Sequence, residues 1–146
     1  MNKILVPVDG SESSRKALIF AVDIAEKYKA KLSVLFVASH EIDDGLRHFT
    51  THEYNLKDEN AFTTVSEKMG KNTINRMINK LKSNIMINSV VLFGDPAARI
   101  VEYSTACDFD MIVMGNRGLG SIKGIMMGSV SRKVSRQVKC TFVSVK

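Results

Sequence analysis

An α/β sandwich, with one mostly parallel five-stranded sheet between two layers of helix, is the fold class this sequence predicts, and three observations predict it. Short apolar runs alternate with segments whose apolar residues recur at helical spacing, in the order βαβαβαβαβ. The runs are near-continuously apolar, as expected of strands covered on both faces in a parallel sheet. The length of 146 residues, with 45% hydrophobic and 25% charged side chains and only two prolines, suits one domain, residues 1–146, that buries its own core.

Strand one is Ile4-Leu5-Val6 with Val8, closed by the turn and helix-start residues Asp9, Gly10 and Ser11. Leu18, Ala21, Ala25 and Tyr28, with Ala17 and Ile24, mark the inner face of a first helix ending near Lys29. Leu32, Val34, Leu35, Phe36 and Val37 form strand two. From His40 to about Asn60 the chain is polar and aperiodic, which reads as a long loop with short helical pieces. Val65, Met69, Met77, Ile78 and Leu81 restore helical spacing through Lys82, and Ile85, Ile87, Val90, Val91 and Leu92 supply strand three. Asp95 is the expected N-cap of the third helix, with Pro96 in the first position, where no N–H is needed. Ile100, Val101 and Tyr103 continue that helix. Met111 to Met114 form strand four, ending at Gly115, and Val130, Val134 and Val138 step by four along a fourth helix before a last strand from Cys140 to Val145.

The formal net charge is +6, which favours an anionic partner. Its location narrows the choice. Residues 1–110 hold 14 basic and 15 acidic side chains, whereas residues 111–146 hold Arg117, Lys123, Arg132, Lys133, Arg136, Lys139 and Lys146 with no acid. With no tryptophan, no aromatic pattern of an RNA-binding sheet and no zinc-finger spacing, a specific nucleic-acid partner is not expected. No run approaches the roughly 20 apolar residues of a membrane span, and the apolar run near the N-terminus is too short for a signal peptide. The chain reads as soluble, unexported and cytoplasmic, with no membrane partner and with Cys107 and Cys140 as core thiols. His48 and His52 stand four apart without a third ligand nearby, so no metal site is expected of the protein itself. His40 reads as exposed. No Ser-His-acid or Cys-His constellation is indicated, so no catalytic residue is assigned and the chain is not read as an enzyme.

The informative segment runs from Gly115 to Ser129, between a buried strand and a helix, where glycines permit close approach and free helix N-terminal N–H groups attract anions. Ser129 can cap that helix or donate to a phosphate oxygen. Gly115 and Gly120 have Walker A spacing, but Ser121 and Ile122 stand where Lys and Ser/Thr belong. Gly118-Leu119-Gly120 opens like a dinucleotide fingerprint, but its third glycine, Gly124, falls one place late and no acid follows Asp110. Arg117 and Lys123 are the first basic side chains beside this loop.

Gly115, two residues, Gly118, nine residues, then Gly128-Ser129 resembles the ATP-binding signature of the universal stress protein family. The resemblance extends to Ile4-Leu5-Val6-Pro7-Val8-Asp9-Gly10-Ser11, to Gly94-Asp95-Pro96-Ala97 leading into Ile100-Val101, and to Asp110 through Gly115. It implies strand order 3-2-1-4-5, an adenine nucleotide alpha-hydrolase-like, Rossmann-like sheet with the nucleotide across the ends of strands one and four, where strand order reverses. It implies ATP as ligand, with Mg²⁺ held by its phosphates and helped by Asp9. Pro7, Val8 and Asp9 would lie near ribose and adenine, Val37 would meet adenine through its backbone, and Met114 and Gly115 would line the ribose side. Arg117, Gly118, Gly128, Ser129, Val130 and Ser131 would surround the phosphates. Asn116 stands where the family often has a small residue, a change the loop should tolerate. The resemblance also implies a homodimer through the last strand, although Cys140-Thr141-Phe142 stands where the family commonly has a proline. The expected role is a nucleotide-responsive stress or regulatory module; the alternatives are a dimeric interaction module that binds no nucleotide, or a slow ATPase.

Overall fold

The apolar runs become five strands, each separated from the next by a helix. They are β1 (Lys3–Pro7), α1 (Glu12–Tyr28), β2 (Lys31–Ala38), α2 (Glu59–Ile78), β3 (Ile87–Phe93), α3 (Pro96–Ala106), β4 (Met111–Gly115), α4 (Ser129–Gln137) and β5 (Thr141–Val145). The structure, a computed structural model, describes residues 1–39, 59–119 and 127–146. The greater part of the expected loop from His40 to Asn60, with His40, His48 and His52, and the middle of the glycine loop, with Lys123, lie outside the described residues.

The strands lie in the order β3-β2-β1-β4-β5, and every pairing is parallel. Near-continuous apolar sequence has its reason here. Ile4, Leu5 and Val6 of the central strand are all fully buried because helices cover both faces. Ile4, Val6, Val34, Phe36 and Val113 pack with Ala17, Leu18 and Ala21 of α1 and Ile74 and Met77 of α2. On the other face Leu5, Leu35, Val37, Ile112 and Met114 pack with Ala97 and Ile100 of α3 and Val134 of α4. Burying a Leu or Ile side chain in such a layer stabilises the fold by about 1.5–3 kcal/mol.

α2 lies unusually near the sheet. A Cβ on Gly70 would sit 2.9 Å from Phe36 Cδ1 and from both Val91 methyl carbons, so glycine sets the distance between this helix and β2 and β3. Helical periodicity was expected to run to Lys82 and strand three to begin at Ile85, but α2 stops at Ile78 and β3 starts at Ile87. Leu81 and Ile85 still pack against the core from the connection between the two elements, which is why their hydrophobicity mimics both.

Local chemistry fixes the ends. Ser11 caps α1, its Oγ accepting from Ser14 N–H at 3.2 Å, and Lys29 closes the helix in the left-handed region with φ 54°. Asp95 caps α3 by accepting from Ala98 N–H at 2.9 Å, with Pro96 in the first turn. Asp110, just ahead of β4, accepts from the N–H groups of Asn2 and Lys3 at 2.6 and 2.9 Å and so pins the start of β1. Those two donors hold its carboxyl below the ordinary value. Cys107 and Cys140 are free thiols, half-buried at the margin of the α3–α4 layer, and burial pushes the Cys140 thiol up. Among the described residues no helix is long and apolar enough to cross a membrane.

Candidate functional site

β1 has β2 on one side and β4 on the other, so the chain leaves it in opposite directions and opens a crevice beyond the strands' carboxyl ends. A cavity of about 440 Å³ occupies this place, within the roughly 300–1,000 Å³ of small-molecule sites. The twelve residues singled out in the sequence all line it. Pro7, Val8 and Asp9 come from the exit of β1, Val37 from β2, and Met114 and Gly115 from the end of β4. Arg117 and Gly118 follow β4, and Gly128, Ser129, Val130 and Ser131 open α4.

The cavity has an apolar end and a polar end. Val8, Leu35, Val37, Ile100 and Met114 border the first. There Leu35 carbonyl oxygen accepts from Val8 N–H at 2.8 Å, and Ala38 carbonyl oxygen accepts from Gly94 N–H at 2.9 Å. Backbone groups of β2 therefore face β1 at odd positions and β3 at even ones. Since the β1 register ends with Pro7 opposite Leu35, the N–H and C=O of Val37 face the open space beyond β1.

At the polar end Asp9 is the only acid along the described wall. Its Oδ1 accepts from Ser11 N–H at 2.9 Å and its Oδ2 from Leu119 N–H at 3.1 Å. The carboxylate thus ties the β1 turn to the loop after β4. A Cβ on Gly118 would stand 2.8 Å from Asp9 Oδ2, so this glycine makes the tie possible. Among the described residues no three His, Cys, Asp or Glu side chains gather to hold a metal ion.

Ser129 is not the cap the sequence allowed. Gly128 occupies the N-cap position with extended backbone (φ −65°, ψ 157°), Ser129 is the first helical residue, and no side chain among the described residues caps α4. Gly128 N–H donates to Asn116 carbonyl oxygen at 2.6 Å, tying the start of α4 to the residue that follows β4. The first-turn N–H groups of α4 thus meet the cavity without a side-chain acceptor among the described residues, unlike the starts of α1 and α3.

Two residues carry more structure than their sequence context suggested. A Cβ on Gly115 would lie 2.5 Å from Ser13 Oγ and 2.7 Å from Ser13 carbonyl carbon, so its bareness lets α1 dock on the end of β4. Asn116 is buried at 7% exposure. Its Oδ1 accepts from Ser13 Oγ at 3.1 Å, and its N–H donates to Val145 carbonyl oxygen at 2.8 Å, joining α1, β4 and β5 at one point. Ser14, Leu35, Phe36, Ser39, Pro96, Ile100 and Leu119 also line the cavity but were not assigned to a site from sequence. The available signal was the stretch from Gly94 to Val101, which holds both Pro96 and Ile100.

Comparison with known proteins matches residues 1–146 to the family described as the universal stress protein family. Universal stress protein YxiE of Bacillus subtilis is 31% identical over 162 aligned positions that span 99% of each chain. Among solved structures, a universal stress protein in complex with cAMP is 25% identical, covers 99% of this chain and 95% of that one, and superposes with a TM-score of 0.65. A universal stress protein family protein from Arabidopsis thaliana with AMP bound is 19% identical over 100% of this chain and 92% of that one, with the same TM-score of 0.65, a likeness of fold.

Proposed function

Because the chain belongs to the universal stress protein family, we propose that its cavity binds an adenine nucleotide, ATP, and that the protein acts as a nucleotide-responsive stress or regulatory module. The observation that carries this reading is the unequal treatment of helix starts. α1 and α3 are capped by Ser11 and Asp95, whereas among the described residues no side chain caps α4 where it opens onto the cavity. Unmet N–H groups and the helix dipole favour an anion at that point. Gly118 and Gly128 bring backbone close to it, the hydroxyls of Ser129 and Ser131 can donate, and Arg117 adds a positive charge. The apolar end suits a purine, with the backbone of Val37 free to read its edge and Pro7, Val8, Met114 and Gly115 enclosing base and ribose.

Mg²⁺ fits as a companion of the phosphates. This cation keeps most of its oxygen ligands from water and phosphate and needs one or two carboxylates. Asp9 supplies one, since each oxygen that accepts a single N–H keeps a further lone pair. When bound, the ion neutralises phosphate charge beside that carboxylate. Asp9 already orders two backbone segments, a binding role rather than that of a base, so the reading is of a protein that senses nucleotide rather than one that consumes it. The cAMP carried by the 25% identical neighbour supports the base class.

The outer edge of β5 ends the sheet, and we assign it to pairing with a second copy as a homodimer. Calorimetry with ATP and Mg²⁺ at about 100 µM protein, where a Kd of that order still registers, tests the central reading. We expect saturable heat and a nucleotide-bearing species in native mass spectrometry; neither signal would leave the fold as an interaction module without nucleotide.

A further inference from the structure

A groove of about 500 Å³ lies beside the cavity and shares Arg117 and Gly118 with it. Its wall comes from three parts of the chain. Ser11, Glu12, Ser13 and Lys16 open α1, Asn116 to Gly118 follow β4, and Lys146 follows β5. Glu12, Ser13 and Lys16 share one helix face by their three- and four-residue spacing.

The charges on this wall do not cancel. Glu12 is its only acidic side chain among the described residues, and Arg15 takes it with a two-pronged grip, Nε to Oε2 at 2.8 Å and Nη2 to Oε1. No ion pair among the described residues involves Lys16, Arg117 or Lys146. Three cations thus line one groove together with the positive end of the α1 dipole, an arrangement that favours an anion. Ser13 Oγ is already engaged, donating to Asn116 Oδ1 at 3.1 Å and accepting from Arg117 N–H at 3.4 Å. Selection therefore falls to the cations, and a group of charge near −2 with several oxygens satisfies them best; the planar fork of Arg117 matches phosphoryl geometry.

We propose that this groove is a second anion site, taking a phosphoryl group through Lys16, Arg117 and Lys146. Two sources offer that chemistry. One is a distal phosphate of a nucleotide seated in the cavity and passing over Gly118, which rests on the nucleotide reading. The other is a separate phosphate anion, which does not.

Inorganic pyrophosphate titrated into isotope-labelled protein, followed through the amide resonances of Ser13 and Lys16, tests the site without any nucleotide. We expect saturable shifts there that weaken as salt rises. A Lys16→Glu, Lys146→Glu double variant, altered only at exposed side chains, is expected to keep its melting temperature and to bind pyrophosphate at least about tenfold more weakly. ATP and AMP then separate the sources. An affinity advantage of ATP over AMP that the double variant loses assigns the groove to the nucleotide's distal phosphates. Pyrophosphate binding that persists beside saturating ATP assigns it to a separate anion. Groove shifts with pyrophosphate but no binding of ATP or AMP would overturn the nucleotide reading and leave this site standing. Pyrophosphate that moves neither amide, or binds the double variant as tightly as the parent, overturns the site.

Discussion

Asp9 and Gly118 show how little room separates structure from ligand chemistry in this molecule. The carboxylate bridges Ser11 N–H and Leu119 N–H, and it can do so only because residue 118 has no Cβ. Gly118→Ala should push the carboxylate aside, break the bond to Leu119 and cost about 1 kcal/mol, measurable by urea unfolding. Combined with Asp9→Ala the two losses should not add, because both remove the same bond; full additivity would show that they act separately. Asp110 carries a different expectation. Its carboxyl lies below its ordinary value through the Asn2 and Lys3 N–H groups, so its stabilisation is complete above the unfolded value of about 3.9 and is lost as pH falls through the lower folded one. The stability advantage of the parent over Asp110→Asn should therefore be constant near neutrality and shrink only under acid. An advantage that instead shrank between pH 6 and pH 8, both far above any carboxylate range, would contradict it.

At the scale of the element, α4 is where stability and binding pull apart. Its N-cap is Gly128 in an extended conformation open to any residue, and an added Cβ there meets only ordinary contacts of 3.5 Å or more. Gly128→Asp should supply the missing cap and gain a few tenths of a kcal/mol or more. The same carboxylate would occupy the anion position, so ATP affinity should fall by at least about tenfold. A thermal melt and a calorimetric titration of one variant check both signs. The inner strands β1, β2 and β4 were legible because parallel strands buried on both faces leave continuous apolar runs, and the starts of α1 and α3 because Ser11 and Asp95 are strong caps. The connection after α2 was not, since Leu81 and Ile85 are apolar for packing and not for regular structure. Gly70 and the buried Asn116 gave no signal, because a close approach between distant segments leaves no periodic trace. The candidate site was legible as spacing from Gly115 to Gly128, whereas Ser39 and Leu35 reach the cavity only through the geometry of the sheet.

Across the whole molecule, the excess of seven positive charges after residue 110 follows β4, α4 and β5. Lys133, Arg136 and Lys139 stand exposed on and beyond α4, while Arg117 and Lys146 face the groove beside the cavity. The sheet also fixes how two copies would meet. Thr141 N–H donates to Asp110 carbonyl oxygen and Val145 carbonyl oxygen accepts from Asn116 N–H, so odd positions of β5 serve β4 and the backbone N–H groups of Phe142 and Ser144 face outward. Ser144→Pro removes an outward donor without touching the β4 ladder. Light scattering should report a dimer for the parent and a folded monomer for this variant; a dimer in both would place the contact elsewhere. A crystal structure grown with ATP and Mg²⁺ is the decisive test of whether this cavity takes a nucleotide. Purine density against the Val37 backbone, with phosphates on the first turn of α4, is the predicted result. A cavity that stays free of nucleotide in well-ordered crystals, or nucleotide bound elsewhere on the molecule, would contradict it.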